Sequence, residues 1–223
     1  WGFFAVTRCR NAHLRKNMSN PVLLNEPEVA HAVTLVLAHG AGAPMDSPFM
    51  EELAGQLASH GLRVLRFEFP YMAARRADGR KRPPNPMAVL QASLRELCST
   101  IDAPFFLAGK SMGGRVASMM AAELEAQGFI CFGYPFHPPG KLEKTRIEHL
   151  RQVTLPGLII QGTRDPFGKP QEIEGYPLDP DLQMRWLEGG DHDLTPLKRS
   201  GLTQSNLIAQ AARHAAEFCR QHA

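Results

Sequence analysis

A serine flanked by glycines stands where the chain passes from a predicted strand to a predicted helix. Residues Gly109 to Gly113 fit the pattern G-x-S-x-G, with Ser111 at its centre. The apolar run 104–108 precedes them, and a helix of small residues is predicted over 112–127. Such a turn exposes the serine oxygen above the sheet and points the amino end of the helix at developing negative charge. A glycine-rich turn with an incidental serine is the alternative, and the flanking elements favour a nucleophile.

His192 is the candidate base, because a serine hydroxyl becomes a nucleophile near neutral pH only when a neighbour accepts its proton. The histidine stands in the glycine-rich segment 189–193, after the strand predicted over 182–187 and before the last helix. A ring in such a loop can reach over the serine. A histidine of an ordinary surface loop is the alternative interpretation.

Asp165 is the candidate acid that would orient the His192 ring and stabilise its cation. It follows the strand predicted over 157–160. Asp191 and Asp193 adjoin the histidine, and residues so close in sequence rarely fold back onto the same ring. We therefore rank both below Asp165, for which a plain turn aspartate before a proline is the alternative.

Two backbone N–H groups are expected to bind the oxygen of the tetrahedral intermediate, because acyl transfer develops a negative charge there. Met112, which follows the nucleophile, would supply one of them. The other is expected from the loop after the strand predicted over 33–38, with Ala41 as the first choice and Gly42 as the second. His39 in the same loop is predicted to bond to backbone and shape the loop.

The elements that must position these residues alternate between strands and helices. Strands are predicted over 33–38, 62–69, 104–108, 129–132, 157–160 and 182–187, and helices over 47–60, 87–101, 112–127 and 203–221. The polar, proline-rich segment 71–86 is predicted to be a loop. This alternation predicts an α/β fold with a mostly parallel central sheet and helices on both faces. Ligands of such sheets bind outside the carboxyl ends of the strands, where the candidate residues lie.

The glycine-rich segments together carry a family resemblance. They are His39 to Gly42, Gly109 to Gly114, Gly162 to Asp165 and Gly189 to His192. The chain resembles the α/β-hydrolase superfamily, and in particular its small, lidless branch near the dienelactone hydrolases. The order of serine, aspartate and histidine along the chain is the one that this superfamily uses. Dienelactone hydrolases have a cysteine at the elbow, so Ser111 argues against their substrate here.

A further run, Gly133 to Lys141, narrows the resemblance. It is similar to a group of predicted α/β-hydrolases that includes a testis-expressed protein and a subunit of a histone-acetyltransferase complex. The resemblance covers residues 21–221 and implies a single-domain α/β-hydrolase fold. The segment between the strands 129–132 and 157–160 is shorter than the helical cap of many lipases, so we expect an open site with minimal or no cap.

A basic segment follows the strand predicted over 62–69, near the edge that would hold Ser111. Its cations are Arg75, Arg76, Arg80, Lys81 and Arg82. We take Arg75, Arg76 and Arg80 as candidate substrate-binding residues that would attract an anionic substrate. A solvated, mobile loop is the alternative.

Composition sets the remaining expectations. The net charge of +3 gives no argument for nucleic-acid or membrane partners, and no apolar run approaches the roughly 18–20 residues that span a bilayer. The four scattered cysteines argue against a zinc site of paired cysteines and for a reducing, cytoplasmic location. Cys98 and Cys131 are predicted to be buried thiols.

Residues 1–20 are expected to be a disordered or non-native N-terminal extension, ahead of a hydrolase domain over 21–223.

The sequence thus predicts a serine hydrolase that cleaves a carboxylic ester or thioester of a small-molecule acyl substrate, through an acyl-enzyme and without a metal or organic cofactor. Two alternatives stay open. An interaction module could retain the fold without turnover, as the chromatin-complex resemblance suggests. An acyltransferase or perhydrolase would use the same three residues with another acceptor. The substrate and the oligomeric state are not determined by the sequence.

Overall fold

A computed structural model of the chain describes residues 21–28 and 32–223. The extension expected over 1–20 lies outside the described residues. Among those described, one sheet of seven strands forms the centre of the molecule. The strands are β1 (Val22–Asn25), β2 (Thr34–Ala38), β3 (Arg63–Phe67), β4 (Phe105–Lys110), β5 (Phe129–Phe132), β6 (Gly157–Gly162) and β7 (Gln183–Leu187).

The strand order across the sheet is β1-β3-β2-β4-β5-β6-β7. All pairs are parallel except β1 with β3, which is antiparallel. The predicted fold class is confirmed, and each strand predicted over 33–187 is present. Strand β1, which has four residues and lies at the edge of the sheet, is not predicted from the sequence. A short, half-exposed edge strand has neither the length nor the apolar run that identifies a buried one.

Six α-helices lie in the described part of the chain. They are α1 (Pro48–Ser59), α2 (Pro70–Asp78), α3 (Met87–Cys98), α4 (Met112–Met120), α5 (Pro170–Ile173) and α6 (Gln204–His222). Two 3₁₀ turns, Glu148–Leu150 and Lys198–Ser200, complete the regular structure. No helix of the described residues combines the length and apolar character that crossing a membrane requires.

The prediction of a loop over 71–86 is wrong for its first half, which forms α2. Pro70 occupies the first turn, where its missing N–H costs no hydrogen bond. Gly79 ends the helix in the left-handed conformation, with φ of 72°. Tyr71 and Met72 are buried and fix the helix against the core. Tertiary packing therefore stabilises a helix whose basic, polar sequence resembles a loop.

The core lies in two layers, one on each face of the sheet. One layer includes Leu94 of α3 and Val116 of α4, and the other includes Leu57 of α1 and Ala212 of α6. Strand β2 is buried along its whole length and contributes side chains to both layers. This arrangement explains the continuous apolar runs of the central strands, which have no solvated face.

The connection from β5 to β6 covers residues 133–156 and contains only the 3₁₀ turn Glu148–Leu150 as regular structure. No cap helix stands over the carboxyl edge in this described segment. The expectation of a site with minimal or no cap is confirmed.

The junction of β4 and α4 leaves no room for side chains. A Cβ atom on Gly113 would lie 2.6 Å from the carbonyl oxygens of both Ala38 and His39. A Cβ atom on Gly109 would overlap the backbone of Gly113. The backbones of β2, β4 and α4 therefore meet in direct contact at the point where the sequence places Ser111.

This contact predicts opposite effects for two helical glycines. Gly113→Ala should lower the free energy of unfolding by about 1–3 kcal/mol or more, because the new methyl group cannot be accommodated without backbone movement. Gly55→Ala in α1 meets no atom within 4 Å and should raise it by up to about 1 kcal/mol through helix propensity. Urea unfolding followed by circular dichroism measures both. Equal effects of the two substitutions would contradict the close contact.

Candidate active site

Ser111 stands between β4 and α4 in a strained conformation. Its φ is 52° and its ψ is −115°, values that cost a residue with a side chain about 1–3 kcal/mol. The backbone N–H of Ser111 donates to Phe132 O over 3.0 Å, which ties the turn to the end of β5. The amino end of α4 starts directly after the serine. The surroundings thus hold the side chain at the carboxyl edge of the sheet.

The structure brings the predicted nucleophile, base and acid into one hydrogen-bonded chain. His192 Nε2 lies 2.9 Å from Ser111 Oγ, and His192 Nδ1 lies 2.8 Å from Asp165 Oδ2. Since the Asp165 carboxylate can only accept, Nδ1 carries the proton and Nε2 is left to accept from the serine. The ring of Phe167 packs on the histidine with centroids 4.4 Å apart. These contacts fix the imidazole in the orientation that a general base requires.

Asp165 is fully buried and is held by donors on two sides. The backbone N–H of Phe167 donates to its Oδ1 over 2.9 Å, and Gln161 Nε2 donates to its Oδ2 over 2.9 Å. Gln161 Oε1 also accepts from the backbone N–H of Tyr134 over 2.7 Å. Gln161 is not among the residues predicted for the site. Its one signal was a polar residue near the end of an otherwise apolar strand.

The two aspartates beside the histidine have other partners. Asp191 Oδ1 accepts from the backbone N–H groups of Asp193 and Thr195 over 2.9 and 2.8 Å. Asp193 Oδ1 lies 3.2 Å from Lys110 Nζ. Neither carboxylate makes a hydrogen bond to the His192 ring in the described structure, which agrees with their lower rank.

Lys110, the residue before the nucleophile, has a buried ammonium group. Its side chain is only 7% exposed and lies over the ring of Phe49. Burial lowers the pKa of this ammonium, and the neighbouring Asp193 carboxylate opposes the effect. The ion pair links the elbow to the loop that carries His192. In the sequence, this position is only the variable residue of the G-x-S-x-G motif.

The turns after β6 and β7 are joined directly. The backbone N–H of Thr163 donates to Leu187 O over 3.0 Å, and that of Arg164 donates to Gly190 O over 2.9 Å. A side chain at Gly162 would overlap the Gly190 carbonyl. The loop of the acid and the loop of the base therefore form one packed unit.

His39 shapes the loop that was expected to bind the oxyanion. Its Nδ1–H donates to Gly40 O over 2.7 Å, and its Nε2 accepts from the backbone N–H of Phe69 over 3.1 Å. Burial lowers the pKa of this imidazole, so the ring is neutral in that arrangement. A Cβ atom on Gly40 would lie 3.7 Å from Ser111 Cβ, which places the loop beside the nucleophile.

The carbonyl groups of the expected oxyanion loop are held by side chains of α2. Tyr71 Oη donates to Ala41 O over 2.9 Å, and Arg75 Nη1 donates to Gly42 O over 3.3 Å. Burial raises the pKa of Tyr71 to about 12 and keeps it a donor. The backbone N–H groups of Ala41, Gly42 and Met112 donate to no group within the described residues. They are free to bind an oxygen.

Arg76, one of three candidate substrate-binding arginines, is occupied by structural ion pairs. Its Nη2 lies 2.6 Å from both Glu68 Oε1 and Asp46 Oδ1, and its Nε donates to Glu68 Oε2 over 3.0 Å. The hydrogen bond from Arg76 lowers the pKa of Asp46. Two carboxylates thus already compensate the charge of Arg76, which weighs against its predicted role in attracting an anionic substrate, and that role stays a prediction. Arg80 is exposed and has no ion pair among the described residues.

A second serine–histidine contact lies further along α4. Ser118 Oγ is 2.9 Å from His149 Nε2. Ser118 also donates to Arg115 O over 3.0 Å within a regular helix, and no carboxylate of the described residues holds the His149 ring. Burial lowers the pKa of His149 to about 4. The pair of Ser118 and His149 therefore lacks both the strained turn and the acidic partner that the pair of Ser111 and His192 has.

The described residues contain no group of three or more histidine, cysteine, aspartate or glutamate side chains placed to hold a metal ion. Cys98 and Cys131 are buried free thiols, as predicted, and Cys219 is buried as well. Burial raises the pKa of Cys98 and of Cys219 to about 12. Cys9 lies outside the described residues.

Comparison with known proteins places the chain in a family. The model of the family described as the alpha/beta hydrolase domain matches residues 31–220. Among solved structures, a dienelactone hydrolase from Anabaena variabilis is 20% identical, with 93% of this chain and 94% of that chain covered and a TM-score of 0.70. A serine hydrolase without a lid from Xanthomonas campestris is 23% identical, with coverage of 91% and 88% and a TM-score of 0.67. An alpha-beta serine hydrolase homologue from Coxiella burnetii is 17% identical, with coverage of 92% of each chain and a TM-score of 0.64.

At these identities the structural likeness establishes the fold alone, and it supports the small, lidless branch predicted from the glycine-rich segments. The narrower resemblance to the group with the testis-expressed protein stays a prediction. Because the family model extends over most of the sequence, the chain belongs to the alpha/beta hydrolase domain family.

Proposed function

We propose that this protein is a serine hydrolase that cleaves a carboxylic ester or thioester through an acyl-enzyme on Ser111. The observation that carries the proposal is the continuous hydrogen-bonded chain from Asp165 through His192 to Ser111 Oγ. These three hydrogen-bonded side chains lie at the carboxyl edge of the sheet, where ligands of such folds bind. Two solved relatives of similar fold are named serine hydrolases, which agrees with this chemistry.

The proposed reaction has two halves. His192 Nε2 takes the hydroxyl proton as Ser111 Oγ attacks the carbonyl carbon, and the imidazolium is stabilised by Asp165. The oxygen of the tetrahedral intermediate accepts hydrogen bonds from the backbone N–H groups of Met112 and Ala41, with Gly42 as the second choice for the latter. His192 then returns the proton to the departing alcohol or thiol. A water molecule then gives a proton to the same nitrogen and attacks the acyl carbon. The bond from that carbon to Ser111 Oγ breaks, the serine oxygen takes the proton back from His192, and the acid is released.

An ester or thioester is preferred to an amide because of the open edge of the site. The segment 133–156 supplies no cap helix to enclose a bound chain. An alcohol or thiol leaves more readily than an amine, so such a bond needs less enclosure and less binding energy from remote parts of the substrate. The open edge therefore favours an ester or thioester over an amide.

The nucleophile is tested with a fluorophosphonate probe and with ester turnover. The wild-type protein should be labelled at Ser111 and should hydrolyse p-nitrophenyl esters. Ser111→Ala should fold normally, lose the label and lose roughly three orders of magnitude or more in kcat/KM. Ser118→Ala is the matched control, because it removes the other serine that contacts a histidine and should change neither result.

Labelling at Ser118, or wild-type turnover by Ser111→Ala, would overturn the assignment. A labelled protein that transfers acyl groups only to acceptors other than water would favour the acyltransferase alternative. A folded protein with neither label nor turnover would favour an interaction module.

The acid is tested by comparing two isosteric substitutions. Asp165→Asn presents an amide to His192 Nδ1 and stabilises the wrong tautomer, so kcat should fall by about three to four orders of magnitude. Asp191→Asn should lower kcat by less than about tenfold, because the side-chain oxygen of the asparagine still accepts hydrogen bonds from the backbone N–H groups of its own turn. Steady-state kinetics on one ester decides between them. Comparable losses in the two variants would remove Asp165 from the proposed role.

A further inference from the structure

Two arginines close to the nucleophile lack any acidic partner. Arg115 lies one helical turn beyond Ser111 in α4, and its backbone N–H donates to Ser111 O over 3.0 Å. Arg146 lies in the connection from β5 to β6. Its backbone is fixed, because its N–H donates to Phe136 O over 2.8 Å and its carbonyl accepts from Tyr134 Oη over 2.7 Å. Neither guanidinium takes part in an ion pair or side-chain hydrogen bond within residues 21–28 and 32–223.

The missing partners are not hidden in the rest of the chain. All 22 acidic residues of the sequence lie in the described part, because residues 1–20 and 29–31 contain no aspartate or glutamate. No carboxylate of this chain therefore neutralises either arginine. Arg76, by contrast, binds two carboxylates.

Side-chain hydrogen bonds hold the segment of Arg146 beside α4. Tyr134 Oη donates to Arg146 O over 2.7 Å, and His149 Nε2 lies 2.9 Å from Ser118 Oγ in α4. Both arginine side chains are half-buried, and Arg115 Nε is shielded from solvent without a hydrogen-bond partner. Burial lowers the pKa of Arg146, and the positive charge of Arg115 lowers it further. The ring of His149 lies 6.3 Å from that of Tyr134 and contributes no negative charge. Holding two like charges together in a partly desolvated place is unfavourable unless an anion compensates them.

We propose that Arg115 and Arg146 form a carboxylate-binding subsite, and that the preferred substrate is an ester or thioester bearing a carboxylate several bonds from its scissile carbonyl. The inference rests on the proposed function of Ser111. Guanidinium groups match carboxylate oxygens in geometry and charge. The backbone of Arg115 lies about 6 Å along the helix axis from that of Ser111, so the two residues stand close enough for one small substrate to reach both.

The subsite is tested with pairs of esters that differ only in a terminal carboxylate. On the acyl side the pair is p-nitrophenyl hexanoate and mono-p-nitrophenyl adipate. On the alcohol side it is butyl acetate and γ-acetoxybutyrate. The wild-type protein should prefer the anionic member of at least one pair. Arg115→Gln and Arg146→Gln should each lower kcat/KM for that anionic ester by about 10- to 100-fold and leave the neutral ester within about twofold.

Arg213→Gln is the matched control. Arg213 is an exposed residue of α6, and α6 packs on the face of the sheet opposite to α4. Its substitution removes the same charge and should leave kcat/KM unchanged for both esters of each pair. Arg115→Lys keeps the charge without the planar fork and should retain part of the preference. Circular dichroism of each variant verifies that it is folded.

A binding measurement separates the subsite from the hydrolase proposal. Adipate should raise the Tm of both the wild-type protein and Ser111→Ala, since binding needs no turnover, and Arg115→Gln should abolish the rise. Neutral esters hydrolysed with no anionic preference, or a Tm that adipate does not change, would overturn the subsite and leave the hydrolase standing. An arginine-dependent rise in Tm in a protein without label or turnover would support the subsite and overturn the hydrolase.

Discussion

The contact between the backbones of β2, β4 and α4 is the constraint on which the site depends. Gly113 packs against the carbonyl oxygens of Ala38 and His39, so the helix can begin only where the strand ends in a sharp turn. That turn places Ser111 in a conformation with positive φ. The same contact positions the start of the oxyanion loop, because His39 is its first residue. Ser111 and the backbone N–H groups expected to bind the oxyanion are therefore placed by a single packing relation.

Most of the sheet, and the meeting of Ser111, His192 and Asp165 at one edge of it, could be predicted because buried parallel strands have continuous apolar runs and end at a common edge. The edge strand β1 and the helix α2 could not, since their stability comes from neighbours that the local sequence does not reveal. The roles of Gln161 and Lys110 could not be predicted for a similar reason. Their importance lies in partners that are distant along the chain, Asp165 and Asp193.

The charged residues show the same limit of prediction from local sequence. The basic segment after β3 is conspicuous in the sequence, yet its member Arg76 is neutralised by Glu68 and Asp46. Arg115 and Arg146 stand apart in the sequence and form no conspicuous cluster, yet no carboxylate of the chain reaches them. Counting charged residues along the sequence gives only the local density of charge. The electrostatic field that acts on a substrate depends on which charges have no opposite charge near them in the folded structure.

The direct packing of the turns after β6 and β7 gives the site a modular construction. Asp165 and His192 belong to one body, whose parts are joined by backbone hydrogen bonds. Ser111 belongs to another, built on β4 and α4. The hydrogen bond of the serine and the ion pair of Lys110 cross the seam between them. Any displacement of one body relative to the other would therefore change the distance from Ser111 Oγ to His192 Nε2. The distance between the serine and its base is thus set by contacts across the seam, whereas the orientation of His192 relative to Asp165 is set within one body.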